Sequence, residues 1–98
     1  MYKSIILPSA KREIREAAKW YNNRQKGLGK KFTAQVRKKL THIKQNPFAY
    51  SIRKGKTRTA VLHVFPFMVH FTIEENHTVV IASVLHTSRS PIIWPDME

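Results

Sequence analysis

The stretch that decides the fold is Phe67-Met68-Val69-His70-Phe71-Thr72-Ile73, because large apolar residues occupy every second position in it. A period of two is typical of a β-strand that buries one face. Residues 67, 69, 71 and 73 are therefore predicted to face a core. Met68, His70 and Thr72 are predicted to lie on an open face of the sheet.

Two further strands flank this one in the sequence. Arg58–Phe65 precedes Pro66, which interrupts a strand because it lacks a backbone N–H group. Thr78–Leu85 follows the polar turn Glu74–His77 and is apolar on both faces, as in a central strand. Residues 48–57 between the helices and these strands are predicted to form a loop.

The first half of the chain predicts a short strand and a helical hairpin. Residues 2–7 read as a strand that ends at Pro8, and Ser9 is a candidate N-cap for a helix to about Arg24. A turn containing Gly27 and Gly29 leads to a second helix that ends before Pro47. Its predicted buried positions are Leu28, Phe32, Val36, Leu40 and Ile43. The predicted fold is α+β in the order β-α-α-β-β-β, as one domain over residues 1–98, with the hairpin packed on a small, mainly antiparallel sheet.

Positive charge dominates the composition. The 98 residues carry a formal net charge of +12, and no acidic residue lies between Glu16 and Glu74. Lysine and arginine recur throughout that interval, so the surface there cannot be neutralised by pairing within it. Such a surface attracts nucleic acid, a nucleoprotein or an acidic protein.

Several kinds of function lack support in the sequence. The chain has no cysteine, which excludes disulfides and thiolate metal sites, and its five histidines show no paired zinc spacing. No Gly-rich phosphate loop and no G-x-S-x-G elbow is present. We expect no metal and no cofactor. The apolar run Ile5-Ile6-Leu7 is too short for a signal peptide or a membrane span, so we expect a cytoplasmic protein.

The remaining candidates for chemistry are cationic. Arg53, Lys54, Lys56 and Arg58 precede or begin the second strand, and His86 and Arg89 follow the last one. If these strand ends converge, the cluster could hold a phosphodiester, since arginine binds phosphate bidentately and histidine exchanges protons near neutral pH. It could equally dock on a protein carboxylate patch. Solvation of a loop is the alternative for the lysines, and a structural hydrogen bond is the alternative for His86.

The chain resembles the RelE/ParE superfamily of bacterial toxins over nearly its whole length. The resemblance rests on Trp20-Tyr21, on the segments 27–32 and 43–47, on Leu62–Phe67, and above all on residues 84–91 followed by Trp94. It implies a growth-inhibiting toxin of a type II toxin–antitoxin (plasmid stabilisation) system. Its cognate antitoxin would wrap an acidic, partly helical segment over the basic surface. Candidate contacts for that partner are Trp20, Lys38 and Trp94, with core packing as the alternative for both tryptophans.

The resemblance implies one of two targets. RelE-like members cut messenger RNA on the ribosome, whereas ParE-like members act on DNA gyrase and have no established hydrolytic site. Arg58, His86 and Arg89 are the candidate catalytic residues for a nuclease, but an arginine frequent in nuclease members falls at Met68 here. Without that charge the site lacks a group that stabilises phosphate, and this absence favours DNA gyrase as the target. Messenger RNA cleavage stays open, as does a plain nucleic-acid-binding module.

Overall fold

The computed structural model describes residues 1–88 and shows two helices packed on a five-stranded sheet. The elements in chain order are β1 (Lys3–Ile6), α1 (Pro8–Arg24), α2 (Leu28–Gln45), a 3₁₀ turn (Pro47–Ala49), β2 (Ile52–Lys54), β3 (Thr57–Val61), β4 (Phe67–Glu74) and β5 (Thr78–His86). The spatial order of the strands is β1-β5-β4-β3-β2. Among these described strands, β1 runs parallel to its neighbour β5, and the other three pairs are antiparallel. The predicted α+β class and the helical hairpin are confirmed.

The core lies between the helices and one face of the sheet. Phe32, Val36 and Ile43 of α2 are buried against the sheet, as their helical spacing predicts. On the sheet side the core residues include Val69 and Phe71 of β4. Tyr21, Phe32, Phe65 and Phe67 form an aromatic cluster with ring centroids 4.8–6.1 Å apart. This cluster ties both helices to the start of β4.

The β3 strand is shorter than predicted and the sheet has one strand more. β3 ends at Val61, after which the Leu62 N–H donates to Phe67 O (2.9 Å) and the Phe67 N–H to Phe65 O (2.8 Å). This tight turn directs Phe65 into the aromatic cluster instead of along a strand. The added strand, β2, has three residues and pairs with β3 through a turn at Gly55, whose φ is 57°. A strand of that length leaves almost no periodic signal.

The first turn of α1 differs from the prediction, because Ser9 is not the N-cap. The helix begins at Pro8, a favourable first helical residue, after Leu7. Ser9 Oγ instead donates to Ala82 O (3.2 Å), and Glu13 accepts a hydrogen bond from the Val84 N–H (2.9 Å). β1 pairs with β5 only as far as Ile81, and the register of β5 shifts by one residue just beyond it. The two side chains therefore satisfy backbone groups of β5 past the end of β1.

The predicted open face of the sheet is wrong at its centre. Met68 is 6% exposed and His70 is 0% exposed, although both point away from the aromatic cluster. Both belong to β4, the middle strand of the sheet, where β3 and β5 flank every side chain. Met68 lies between Val61 and Leu85, and His70 between Thr59 and Ser83. A period of two shows which face a side chain takes but cannot show that a face stays accessible.

We predict that Gly29→Ala destabilises the protein. A Cβ at this position would collide with the backbone oxygen of Ala18 and lie 3.2 Å from the Asn22 Cβ, so α1 and α2 would have to separate. We expect a loss of roughly 1–3 kcal/mol in the free energy of unfolding, measured by urea denaturation. Lys30→Ala, at the exposed neighbouring position, should change it by less than about 0.5 kcal/mol. Equal midpoints for both variants and the original chain would contradict the close helix contact.

Candidate target-binding surface

Arg58 lies in a recess beside the 3₁₀ turn. Its Nη1 donates to the backbone oxygen of Tyr50 (2.7 Å), and its guanidinium lies 5.1 Å from the centroid of the Phe48 ring. The recess has a volume of about 250 Å³ and is also lined by Ile52 and Lys56. Phe48 is 60% exposed and Ile52 56% exposed, so apolar and cationic groups are presented together. Aromatic and arginine side chains in such a setting are the usual energetic centre of a protein interface.

The four cations that the sequence places together are divided between the two faces of the sheet. Arg58 pairs with Phe71 and thus lies on the helix-facing side. Lys54 pairs with Thr57, because the β2–β3 register shifts between Ile52 and Lys54. Thr57 shares a face of the sheet with Thr59 and His70, so Lys54 lies on that face, opposite to Arg58. The positive charge of Arg53 also acts on His70. The β2–β3 hairpin therefore presents cations in both directions, and these four side chains do not share one face of the sheet.

His70 is held neutral at the centre of the sheet. Its Nδ1 lies 3.0 Å from the Thr59 hydroxyl. Burial, and secondarily the charge of Arg53, lower the pKa of His70 from 6.5 to about 4. The imidazole is thus uncharged at neutral pH. Sequence reasoning predicted this residue on an open face and missed its burial.

His86 and Arg58 do not converge. β3 and β5 run in the same direction because both are antiparallel to β4, so the start of one and the end of the other lie far apart. Arg58 is level with Ile81 of β5, five positions before His86, which is roughly 15 Å at the usual rise of a strand. His86 Nδ1 accepts a hydrogen bond from the Ser88 N–H (3.1 Å), and its ring packs against Phe67. Arg89 lies outside the described residues.

The candidate partner contacts on the helices are accessible. Trp20 is 42% exposed, and the Arg24 guanidinium lies over its ring, 4.4 Å from the centroid. Lys38 is exposed on α2. Trp94 lies outside the described residues.

A groove at the turn of the helical hairpin was not predicted. It has a volume of about 650 Å³ and presents Lys19, Lys26 and Lys30 along its rim. The Asn22 side chain accepts a hydrogen bond from the Gly27 N–H (2.9 Å), and Gly27 adopts a φ of 87°. The signal available in the sequence was the pair of glycines flanked by lysines, which marks a tight turn with a basic surface.

The described residues offer no metal centre. Within residues 1–88, no three histidine or acidic side chains are grouped as a metal ion would require. Neither α1 nor α2, the two α-helices in this range, combines the length and the apolar composition that a bilayer-spanning helix requires.

The chain matches one family over most of its length. The family model described as "ParE toxin of type II toxin-antitoxin system, parDE" matches residues 5–91. No curated protein sequence matches the chain at a significant level.

Solved toxin structures share the fold at low sequence identity. A chain of the chromosomal ParDE system from P. aeruginosa aligns with a TM-score of 0.79 and 13% identity, covering 90% of this chain and 98% of the other. The isolated E. coli RelE toxin aligns with a TM-score of 0.68 and 19% identity, over 98% and 95% of the two chains. A chain of the E. coli RelBE toxin–antitoxin complex also aligns with a TM-score of 0.68 and 19% identity, over 91% and 100%.

We predict that acid destabilises the protein through His70. Below pH 6.5 the unfolded chain binds a proton at His70, whereas the folded chain keeps the imidazole neutral until the pH reaches about 4. The stability that is fully present above pH 6.5 is therefore lost as the pH falls from 6.5 through about 4. The loss amounts to at most about 3 kcal/mol. Urea unfolding of the original chain and His70→Gln at pH 7 and pH 4 checks this. The variant should lose less stability between the two pH values, whereas His42→Gln, at an exposed position, should behave like the original chain. An equal loss in all three proteins would contradict the assignment.

Proposed function

The chain belongs to the ParE toxin family of type II toxin–antitoxin systems, and we propose that it arrests growth by acting on DNA gyrase. The family match over residues 5–91 carries this proposal, because the matching description is that of ParE toxins. In the described residues, the candidates for nuclease chemistry also lie apart. Arg58 is bonded to Tyr50 on the helix-facing side, and His86 lies at the far end of β5.

The position of Met68 gives further support. A nuclease must stabilise the negative charge that develops on the phosphate, and it does so with cations aimed at one point. Met68 is buried and uncharged. Within residues 1–88, the remaining candidates Arg58 and His86 are too far apart to act on one phosphodiester bond.

We assign contact with gyrase to the β2–β3 hairpin and the adjoining recess. Arg53 and Lys54 are presented towards one face, and Lys56 and Arg58 towards the other. Phe48 and Ile52 add exposed apolar surface beside Arg58. The recess would supply affinity through desolvated apolar contact, and the surrounding cations would steer association with an acidic partner.

Neutralisation by a cognate antitoxin completes the proposal. The E. coli RelBE neighbour is a complex with its antitoxin, and the P. aeruginosa neighbour is a ParDE system. For this chain, the +12 charge favours an acidic partner segment. Trp20 on α1 and Lys38 on α2 are exposed for an amphipathic helix laid across the hairpin.

We predict that induced expression in bacteria stops DNA synthesis before protein synthesis, as measured by pulse-labelling of both. His86→Gln should retain toxicity within about twofold, because no proton transfer is required of it. Arg58→Gln should reduce toxicity by roughly tenfold or more through loss of target contact. Urea unfolding of both variants establishes that they are folded.

Other results would identify the other functions. Protein synthesis stopping first, together with loss of toxicity in His86→Gln, would overturn the proposal in favour of messenger RNA cleavage. Normal growth, with strongly salt-dependent binding of DNA or RNA by the purified chain, would indicate a nucleic-acid-binding module instead.

We further predict that Trp20→Ala weakens binding to the cognate antitoxin proposed above by roughly tenfold, because a half-exposed tryptophan on a helix surface is a typical interface anchor. Lys38→Glu should weaken binding and reduce its salt dependence. Lys11→Glu makes the same charge change at an exposed position on the first turn of α1 and should have the smaller effect. Calorimetric titration measures all three. Equal affinities for Lys38→Glu and Lys11→Glu would show that only net charge matters.

A further inference from the structure

A small cavity lies between α2 and the segment that joins β3 to β4. Its volume is about 120 Å³, and its lining residues are Gln35, Lys38, Lys39, His42 and His63. The four residues from α2 follow the spacing i, i+3, i+4, i+7, which places them on one face of the helix. His63 approaches from the opposite side. Among the described residues that line this cavity, every charged or titratable group is basic.

Lys39 is the buried member of this set, with 9% of its surface exposed. Its Nζ lies 3.5 Å from His63 Nε2 and 5.9 Å from the centroid of the Tyr50 ring. Lysine is rarely buried without a charged partner, since removing an ammonium group from water is costly. A histidine and an aromatic ring offset part of that cost but do not neutralise the charge.

The described residues provide no carboxylate at this cavity. The acidic residues within residues 1–88 are Glu13 and Glu16 on α1, and Glu74 and Glu75 at the end of β4. None of them lines the cavity. In this part of the chain, the positive charge of Lys38 and Lys39 is therefore concentrated around a recess without an anion of its own.

We propose that this cavity is a binding site for a phosphate group. Sites for whole small molecules usually measure about 300–1,000 Å³, so 120 Å³ suits a single compact group. A tetrahedral oxyanion can accept hydrogen bonds on several sides at once. The donors here come from two directions, from α2 and from His63. Lysine ammonium groups serve as point charges for phosphate, and the Gln35 amide adds a neutral donor.

The phosphate site has no lining residue in common with the recess at Arg58, but Tyr50 contacts one lining residue of each. The Tyr50 ring faces Lys39, and the Tyr50 backbone oxygen accepts the hydrogen bond from Arg58. The proposal rests on the cavity alone and does not depend on the identity of the toxin's target.

Titration of the full chain with inorganic phosphate tests the proposal, with chloride at matched ionic strength as reference. Backbone amide NMR shifts locate the binding, and thermal unfolding measures it. We expect saturable shifts confined to residues 35–42 and around His63, with a higher unfolding midpoint in phosphate. Lys39→Met keeps the length and apolar stem of the side chain, and it should weaken binding by roughly tenfold or more. Lys26→Met removes the same charge from the hairpin turn and should leave phosphate affinity unchanged.

A second variant and a second probe keep the test decisive. His63→Gln retains a hydrogen-bonding side chain and should also weaken phosphate binding, even if Lys39→Met proves unstable. A single-stranded oligonucleotide that free phosphate displaces from the same residues would identify nucleic acid as the source of the phosphate. Oligonucleotide binding elsewhere, with phosphate still bound here, would identify free phosphate. No saturable shift at residues 35–42, equal affinity in Lys39→Met and Lys26→Met, or binding of a poly-glutamate peptide without phosphate binding would overturn the proposal.

Discussion

The packing of Tyr21, Phe32, Phe65 and Phe67 is the constraint on which the rest of the structure depends. Tyr21 comes from α1, Phe32 from α2, and Phe65 and Phe67 from either side of Pro66. Each aromatic pair contributes about 0.5–1.5 kcal/mol beyond the area that it buries. Because the cluster draws on three elements at once, it fixes the angle of the helical hairpin against the sheet. It also forces the sharp turn that ends β3 at Val61.

The position of the hairpin in turn determines the surfaces available to partners. The close contact of α1 and α2 at Gly29 leaves the lysine-rimmed groove beside it. The buried stripe of α2 faces the sheet, and its polar stripe at Gln35, Lys38, Lys39 and His42 faces the segment that carries His63. The large excess of cations is therefore sorted into distinct sites. These are the groove, the Arg58 recess, the hairpin face with Arg53, and the cavity around Lys39.

Strand direction separates cationic side chains and a histidine that the sequence pattern suggests are neighbours. Three consecutive antiparallel strands make β3 and β5 co-directional, so the cations at the start of β3 cannot meet the histidine at the end of β5. The same sheet buries His70 and lowers its pKa. A surface of separated cations suits recognition of an extended acidic partner, whereas nuclease chemistry would need those groups brought to one point.

The sequence by itself determined the fold class, both helices to within a residue or two, the exclusion of thiolate chemistry, and membership of the toxin superfamily. Those features depend on local signals: Gly27 and Pro47 limit α2, and the spacing of apolar residues identifies the buried faces. Only the tertiary structure decided that Ser9 bonds to β5, that Met68 and His70 are buried, and that Arg53 and Arg58 face opposite ways. It also brought Lys39 to His63. These outcomes depend on strand register, a one-residue shift in β2 and another in β5, and the approach of elements far apart in the chain. None of those leaves a periodic trace in a single sequence.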